Sequence, residues 1–444
     1  MRRLSTIITI ALLTAPATAQ MQSGSAQGPA VTLAELEQLA LENNPTARAA
    51  QAGIEAARGR ARQAGAWPNP VIGYSGAELK TGDLDVRGAH GFFVEQTVPL
   101  GGKLGLGRQV FERSAERAEA VLDLQRRRVL STVRTLFYET LTAERRVEVR
   151  ERLAALASEA VGITAQRFNV GAADRPDYLE SQIEARRAQL ALNGAKNRAF
   201  AAHQQLAAVT GRPDVASRPL TGSIDQAIPE LERDAAVRAI VDESPQVRAA
   251  KAELARTQAV TAQSRRTTFP DLIVRAGAAK NRERGEDTGR PIGWEGQLEA
   301  GLSLPLFNRN QGAVVAARAD ETRAQSDLRR LELSLQSQAA AEFSTYLTAL
   351  RASESYREEI LPQAEEAYRL YLTRYREMAA AYPQVLVAQR TLFEMSADYL
   401  ESLEGAWRSA LRIQGYLAGE GLQAPDGVMD SGAEASVRPV GARP

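Results

Sequence analysis

Two hydrophobic periods alternate along this chain. Across residues 107–175 no proline interrupts, and apolar positions such as Leu122, Val129, Val133 and Leu136 recur at helical spacing. This predicts one helix over about 103–168, and at about 1.5 Å per residue its length is on the order of 100 Å. A second such stretch, 306–362, carries Leu328, Leu331, Leu335, Ala339, Phe343, Tyr346 and Leu350 in one stripe. Returning helices are predicted at 175–209 and 383–418, so each long helix is one arm of an antiparallel hairpin. Ahead of each hairpin the period changes to two. Leu298, Ala300, Leu302 and Leu304 alternate with Gln297, Glu299, Gly301 and Ser303. Leu272, Val274, Ala276 and Ala278 form a second greasy face, Phe92, Val94 and Val98 a third, and a weaker fourth contains Tyr74. Strands are expected at about 69–79, 89–99, 271–280 and 293–305, joined by charged, glycine-rich connections at 80–88 and 281–293.

The plan of helix, strand pair and long helical hairpin therefore occurs twice. Its landmarks repeat as well. Asn44-Pro45 answers to Ser244-Pro245, Trp67-Pro68 to Phe269-Pro270, and Pro99-Leu100 to Pro305-Leu306. The first copy is read as 31–211, a proline-containing connector as 212–230, and the second copy as 231–418. Residues 419–444, rich in Gly, Ala, Pro and Ser, are expected to form a disordered tail.

Export follows from the N-terminus. Arg2 and Arg3, an apolar run over 7–13 and Ala17-Thr18-Ala19 make residues 1–19 a secretory signal, with 20–30 as a linker before the first copy. The leader aside, no apolar run is long enough for a membrane-spanning helix. Taken alone, a single strand with one greasy face fits a soluble hairpin packed on a helix better. Export and the length of the helices favour lipid instead, because four strands beside such rods have little globular core to cover. A lone four-stranded sheet has open edges, which hydrocarbon does not tolerate, so the strands must close with those of other subunits.

The chemistry of catalysis is missing. The chain has 2 His and 0 Cys, too few for the usual transition-metal ligand sets, and no nucleophile elbow, Walker loop or zinc-protease motif. The Gly101–Gly107 cluster is read as a bend between strand and helix, since the second copy has Phe307-Asn308-Arg309-Asn310 at that place. No cofactor is expected. With Lys+Arg 55 against Asp+Glu 54, charge argues against a nucleic-acid partner.

From about residue 31 to 419 the chain resembles the TolC-like outer-membrane efflux proteins, and within them the cation-efflux branch called CzcC-like. The resemblance rests on the duplicated plan, Trp67-Pro68-Asn69-Pro70, Pro305-Leu306-Phe307-Asn308, Phe168-Asn169-Val170-Gly171, and the run 382–393. It implies a mainly α protein with a transmembrane β part: a homotrimer whose subunits build one twelve-stranded outer-membrane barrel, continued by a periplasmic α-helical barrel. It implies a passive exit duct, not an enzyme, located in the outer membrane of a Gram-negative-type envelope and reaching into the periplasm. Its partners would be outer-membrane lipid, a periplasmic adaptor and an inner-membrane pump of the resistance-nodulation-division type, with heavy-metal cations as cargo. Drug or solvent efflux, type I protein secretion and a secreted periplasmic scaffold are the alternatives. In the family the tips of the helical hairpins touch the adaptor through a Val-Gly-small motif, which Val170, Gly171 and Ala172 match. The aligned Glu377, Met378 and Ala379 lack the glycine. Gln384 and Val387 fall where the family prototype carries aperture aspartates, leaving Tyr382 or Met378 to narrow the pore sterically.

Overall fold

Each copy begins with a helix broken by proline. Asn44 and Ser244 precede Pro45 and Pro245, and proline excludes its predecessor from the helical region; both have extended backbones with ψ of 124° and 130°. One helix therefore stops and another starts with proline in its first turn, where the missing N–H costs nothing. Asn44 and Ser244 cap the new helices by accepting from Thr46 N at 2.9 Å and Gln246 N at 3.2 Å. The results are α1 (Leu33–Asn43) and α2 (Pro45–Ala64) in the first copy. The strands β1 (Val71–Ala77) and β2 (Ala89–Pro99) and the helices α3 (Lys103–Asn169) and α4 (Arg175–Thr210) complete it. The second copy runs α5 (Arg233–Asp242), α6 (Pro245–Arg266), β3 (Asp271–Arg284), β4 (Pro291–Leu302), α7 (Gln311–Ser355), α8 (Leu361–Arg376) and α9 (Tyr382–Gln414). The computed structural model describes residues 29–77, 88–284, 290–417, 419 and 421–424. The expected signal at 1–19, nearly all of the linker, most of the 80–88 connection, the middle of the 281–293 connection and the distal tail lie outside the described residues.

The four strands form one antiparallel sheet in the order β1-β2-β3-β4. Its central pairing, β2 with β3, joins the two copies. β3 and β4 extend further toward their connection than expected, pairing Arg284 with Pro291 beyond an irregularity after Asn281. Charged residues do not end a strand that has water on that side. β1 and β4 each leave one edge without a partner strand.

The strand-to-helix bend at the end of β2 uses Gly101 and Gly102, both left-handed with φ of 71° and 73°. Gly101 lies so close to Phe269 that a Cβ would sit 2.8 Å from that side chain. In the second copy a single left-handed residue, Asn310, precedes α7.

α3 is 67 residues long and unbroken. Its counterpart continues past Pro362 to Arg376, with a single π turn at Tyr356–Ile360 between α7 and α8. Leu361 N donates to Tyr356 O, one residue wider than an α bond, and the wide turn accommodates a proline that has no N–H to give. α4 packs on α3, α3 on α9, and α9 on α7 and α8, so α4 and the α7–α8 rod form opposite margins of the subunit.

The core is strung along this rod as separate clusters. At mid-height Leu36, Val129, Val133, Leu206 and Trp407 are buried together, with Tyr138 stacked on Trp407 at 3.8 Å. The connector joins them: Val215 and Ile224 are buried, and Trp407 Nε1 donates to Ile224 O at 3.0 Å. Residues just beyond α9 are held to the helices. Gly421 O accepts from Thr46 Oγ1 at 3.1 Å and Gln125 Nε2 at 3.3 Å, which ties residues beyond α9 to α2 and α3.

The sheet's tightest point supplies a test. A Cβ on Gly91 would lie 2.3 Å from Ala278 O and 2.6 Å from Ala279 Cα, whereas one on Gly296 would meet nothing within 4 Å. Gly91→Ala should split β2 from β3 and abolish SDS-resistant oligomers on unheated gels, while Gly296→Ala leaves them at wild-type level.

Candidate functional site: a sheet wall and two helical turns

Strand register sorts the sheet into two chemistries. Row by row, Val94 stands opposite Ala276 and Leu298, and Phe92 opposite Tyr74 and Ala278. The neighbouring row on the other face is Glu95, Arg275 and Glu299. The apolar face is bare in the isolated subunit: Ile72 is 73% exposed, Phe92 69% and Leu298 77%. Aromatic residues mark both of its ends, Tyr74 and Trp294 toward the connections and Trp67, Phe269 and Phe307 at the helices. That is the arrangement of a strand wall in lipid, with an interfacial belt on each side. Among the described residues no helix is long and apolar enough to cross a membrane. On the polar face the Arg275 guanidinium lies 3.7 Å from the centre of the Phe93 ring.

At the far end of the helices the two hairpin turns are built alike. After α3, Gly171 takes φ 74°, and Ala172 N donates to Arg167 O at 2.8 Å while Gly171 N donates to Phe168 O at 3.0 Å. After α8, Met378 takes φ 62°, Ala379 N donates to Arg374 O at 2.8 Å, and Met378 N donates to Tyr375 O at 3.2 Å. Both are left-handed helix ends closed by the same pair of bonds. The second turn keeps its backbone without glycine, so Met378 bears a conformational cost of about 1–2 kcal/mol. Arg167 ties the turns together. Its guanidinium donates to Ala172 O at 3.1 Å, donates to Tyr375 O, and stacks over the Tyr375 ring at 4.2 Å. Val170 and Met378 project into solvent, 74% and 67% exposed, with Gly171, Glu377 and Ala379 exposed beside them and Ala172 half-buried.

The residues expected at the aperture separate here. Gln384 and Val387 are exposed. Tyr382 instead turns into its own subunit, 1% exposed, with its ring centre 5.7 Å from that of Tyr375. Burial holds its hydroxyl well above the usual phenol range, and the carboxylates of Glu184 and Glu180 add to the effect. Burial likewise pushes Tyr368 up to about 12, with Glu159 raising and Arg376 lowering it. As placed, Tyr382 stiffens the base of α9 and presents no side chain to a pore.

Two groups escaped the sequence reading. Arg167 is one arginine among many, and only its reach to both turns sets it apart. Glu184 lies on the buried face of α4 with Ser181, Ala188 and Leu192, where it accepts from Arg390 of α9 and from Arg187 at 3.1 Å. A carboxylate at an inward helical position was the available signal. Among the described residues no three His, Asp or Glu side chains converge as a metal site.

A bare greasy sheet with open edges, continued by long helical hairpins, defines a subunit of an outer-membrane channel. The chain matches the family model described as outer membrane efflux protein over residues 36–212 and 236–417, and it belongs to that family. It is similar to the cobalt-zinc-cadmium resistance protein CzcC of Cupriavidus metallidurans, with 29% identity over 87% of this chain and 90% of the relative. The nickel-cobalt-cadmium resistance protein NccC of Alcaligenes xylosoxydans is 27% identical over 70% of each chain. Its fold is that of the outer-membrane channel OprN, with a TM-score of 0.74 at 18% identity over 88% of this chain and 91% of that one. The protein is thus an outer-membrane efflux channel protein, and its fold is a four-stranded sheet continued by long helical hairpins.

The paired turns predict opposite responses to glycine. Met378→Gly relieves the left-handed strain and should raise the unfolding temperature of the detergent-solubilised protein. Gly171→Ala imposes that strain and should lower stability by about 1 kcal/mol.

Proposed function

We propose that this channel is the exit duct of a tripartite system that expels heavy-metal cations. The observation that carries the cargo is its likeness to the two metal-resistance proteins, CzcC over 90% and NccC over 70% of their own lengths. An inner-membrane pump of the resistance-nodulation-division type supplies the energy, and a periplasmic adaptor bridges pump and duct. The adaptor docks on the exposed turns, Val170-Gly171-Ala172 and Glu377-Met378-Ala379. Their shared backbone geometry supports this, because two like turns held side by side by Arg167 give a ring of subunits a repeated docking edge. The duct carries out no bond chemistry. Its part is to provide a continuous path from the helical barrel to the cell exterior.

In this reading Gln384 and Val387 line the periplasmic aperture, which is supported by their exposed side chains one turn apart on α9. Gln384 is neutral, so the aperture does not concentrate divalent cations at rest.

Two measurements test this reading. A deletion strain and its complemented control should differ in growth on a few salts among zinc, cobalt, cadmium, nickel, copper and silver. Sensitivity confined to drugs would replace the cargo and keep the duct. In planar bilayers, Gln384→Asp should make conductance susceptible to block by divalent cations. Conductance in that variant as insensitive as wild type would remove Gln384 from the aperture.

A further inference from the structure

The two margins of the subunit carry complementary faces at the same height. On α4 the buried positions Ser181, Glu184, Ala188 and Leu192 face inward. At 100° per residue, Ile183, Arg186 and Leu190 lie on the opposite side, all exposed, with Ile183 at 51% and Leu190 at 70%. On α8 the buried positions are Ala364, Tyr368, Leu372 and Tyr375, and the opposite side presents Glu366 and Leu370, with Glu365 at its shoulder. Among the described residues Arg186 has no ion-pair partner in its own protomer, and Glu366 has only a 3.7 Å contact with Arg369.

Heights can be compared because Arg167 holds the two turns side by side. Arg186 stands 12 residues beyond the Asp174 cap, and Glu366 11 residues before the Glu377 cap. At about 1.5 Å per residue these lie within about 2 Å of one level, and Ile183 and Leu370 within about 3 Å of another. Rotation about an axis parallel to the helices preserves height, so in a closed ring the α4 margin of one copy meets the α8 margin of the next.

We propose that the helical part of the trimer closes through this seam: Arg186 of one copy pairs with Glu366, flanked by Glu365, on the α8 of the next, and Ile183 packs on Leu370 just below. The occupant is a second copy of this chain. The inference rests on the channel reading, since only a ring brings the margins together. It adds that the closure of the helices is electrostatic as well as apolar, whereas the sheet edges close by backbone hydrogen bonds.

The chain has no cysteine, so introduced thiols report without background. Membranes carrying the Ile183→Cys/Leu370→Cys double variant, oxidised or treated with a short bis-maleimide, should give covalent dimers and trimers on reducing-agent-controlled gels. Neither single variant should. In an otherwise native chain, Arg186→Glu should reduce SDS-resistant trimer by about two- to fivefold per broken pair. Combining it with Glu365→Arg and Glu366→Arg should restore it. No covalent product from the double variant, while an amine-reactive reagent still captures its trimers, would overturn the seam and leave the channel standing. Absence of trimers with the amine-reactive reagent in the wild type would remove both.

Discussion

A backbone N–H or C=O left without a partner in hydrocarbon costs several kcal/mol, and this sheet has two full strand edges in that position. No rearrangement within one chain removes them. β2 and β3 are already committed to each other, and β1 and β4 are separated by both of them. The apolar face adds a second demand in the same direction, since it has no partner among the described residues and too much exposed surface for water. Oligomeric closure in a membrane answers both at once. The long helices then inherit their placement from the strands, through the glycine bend at 101–102 and the Asn310 bend in the second copy.

Such rods have little depth, and their stability is correspondingly distributed. Apolar residues are buried as separate clusters, each drawn from three or four helices. Polar groups fill the gaps between them. Gln125 and Thr46 hold the residues after α9, Glu184 joins α4 to α9, and Arg167 joins the turns. A carboxylate removed from water, as Glu184 is, requires its arginine partners. These contacts fix which helix sits beside which, a matter on which Ala-rich helical surfaces are otherwise permissive.

Much of this architecture was legible in the residues because it depends on local periodicity. The alternation from Gln297 to Leu304 specifies a strand with one greasy side, and the proline-free stretch after Gly107 specifies a rod. Asn44-Pro45 and Ser244-Pro245 announce their breaks by the proline rule. What was not legible depends on compensation from elsewhere. Pro362 gives no sign in the sequence of the π turn that widens the backbone before it. Met378 reads as the loss of a turn that needs glycine, although the surrounding bonds keep the backbone left-handed. Tyr382 reads as an aperture residue from its place in the chain, but its side chain follows the inward stripe of Val385, Leu386 and Leu392. The ordering of Gly421 was not legible because the bonds that hold it come from α2 and α3, hundreds of positions away.

The pairing of β2 with β3 has a consequence for the origin of the ring. Each copy contributes one hairpin, and the junction inside a chain, β2 to β3, is of the same antiparallel kind as the junction that must form between chains, β4 to β1. An ancestral half-length chain could have made the same cylinder as a hexamer of identical hairpins. Duplication fused alternate junctions and freed the two halves to diverge. The π turn at Tyr356–Ile360 and the methionine in place of a turn glycine are marks of that divergence, departures from sixfold equivalence that a hexamer could not have held in only three of its members.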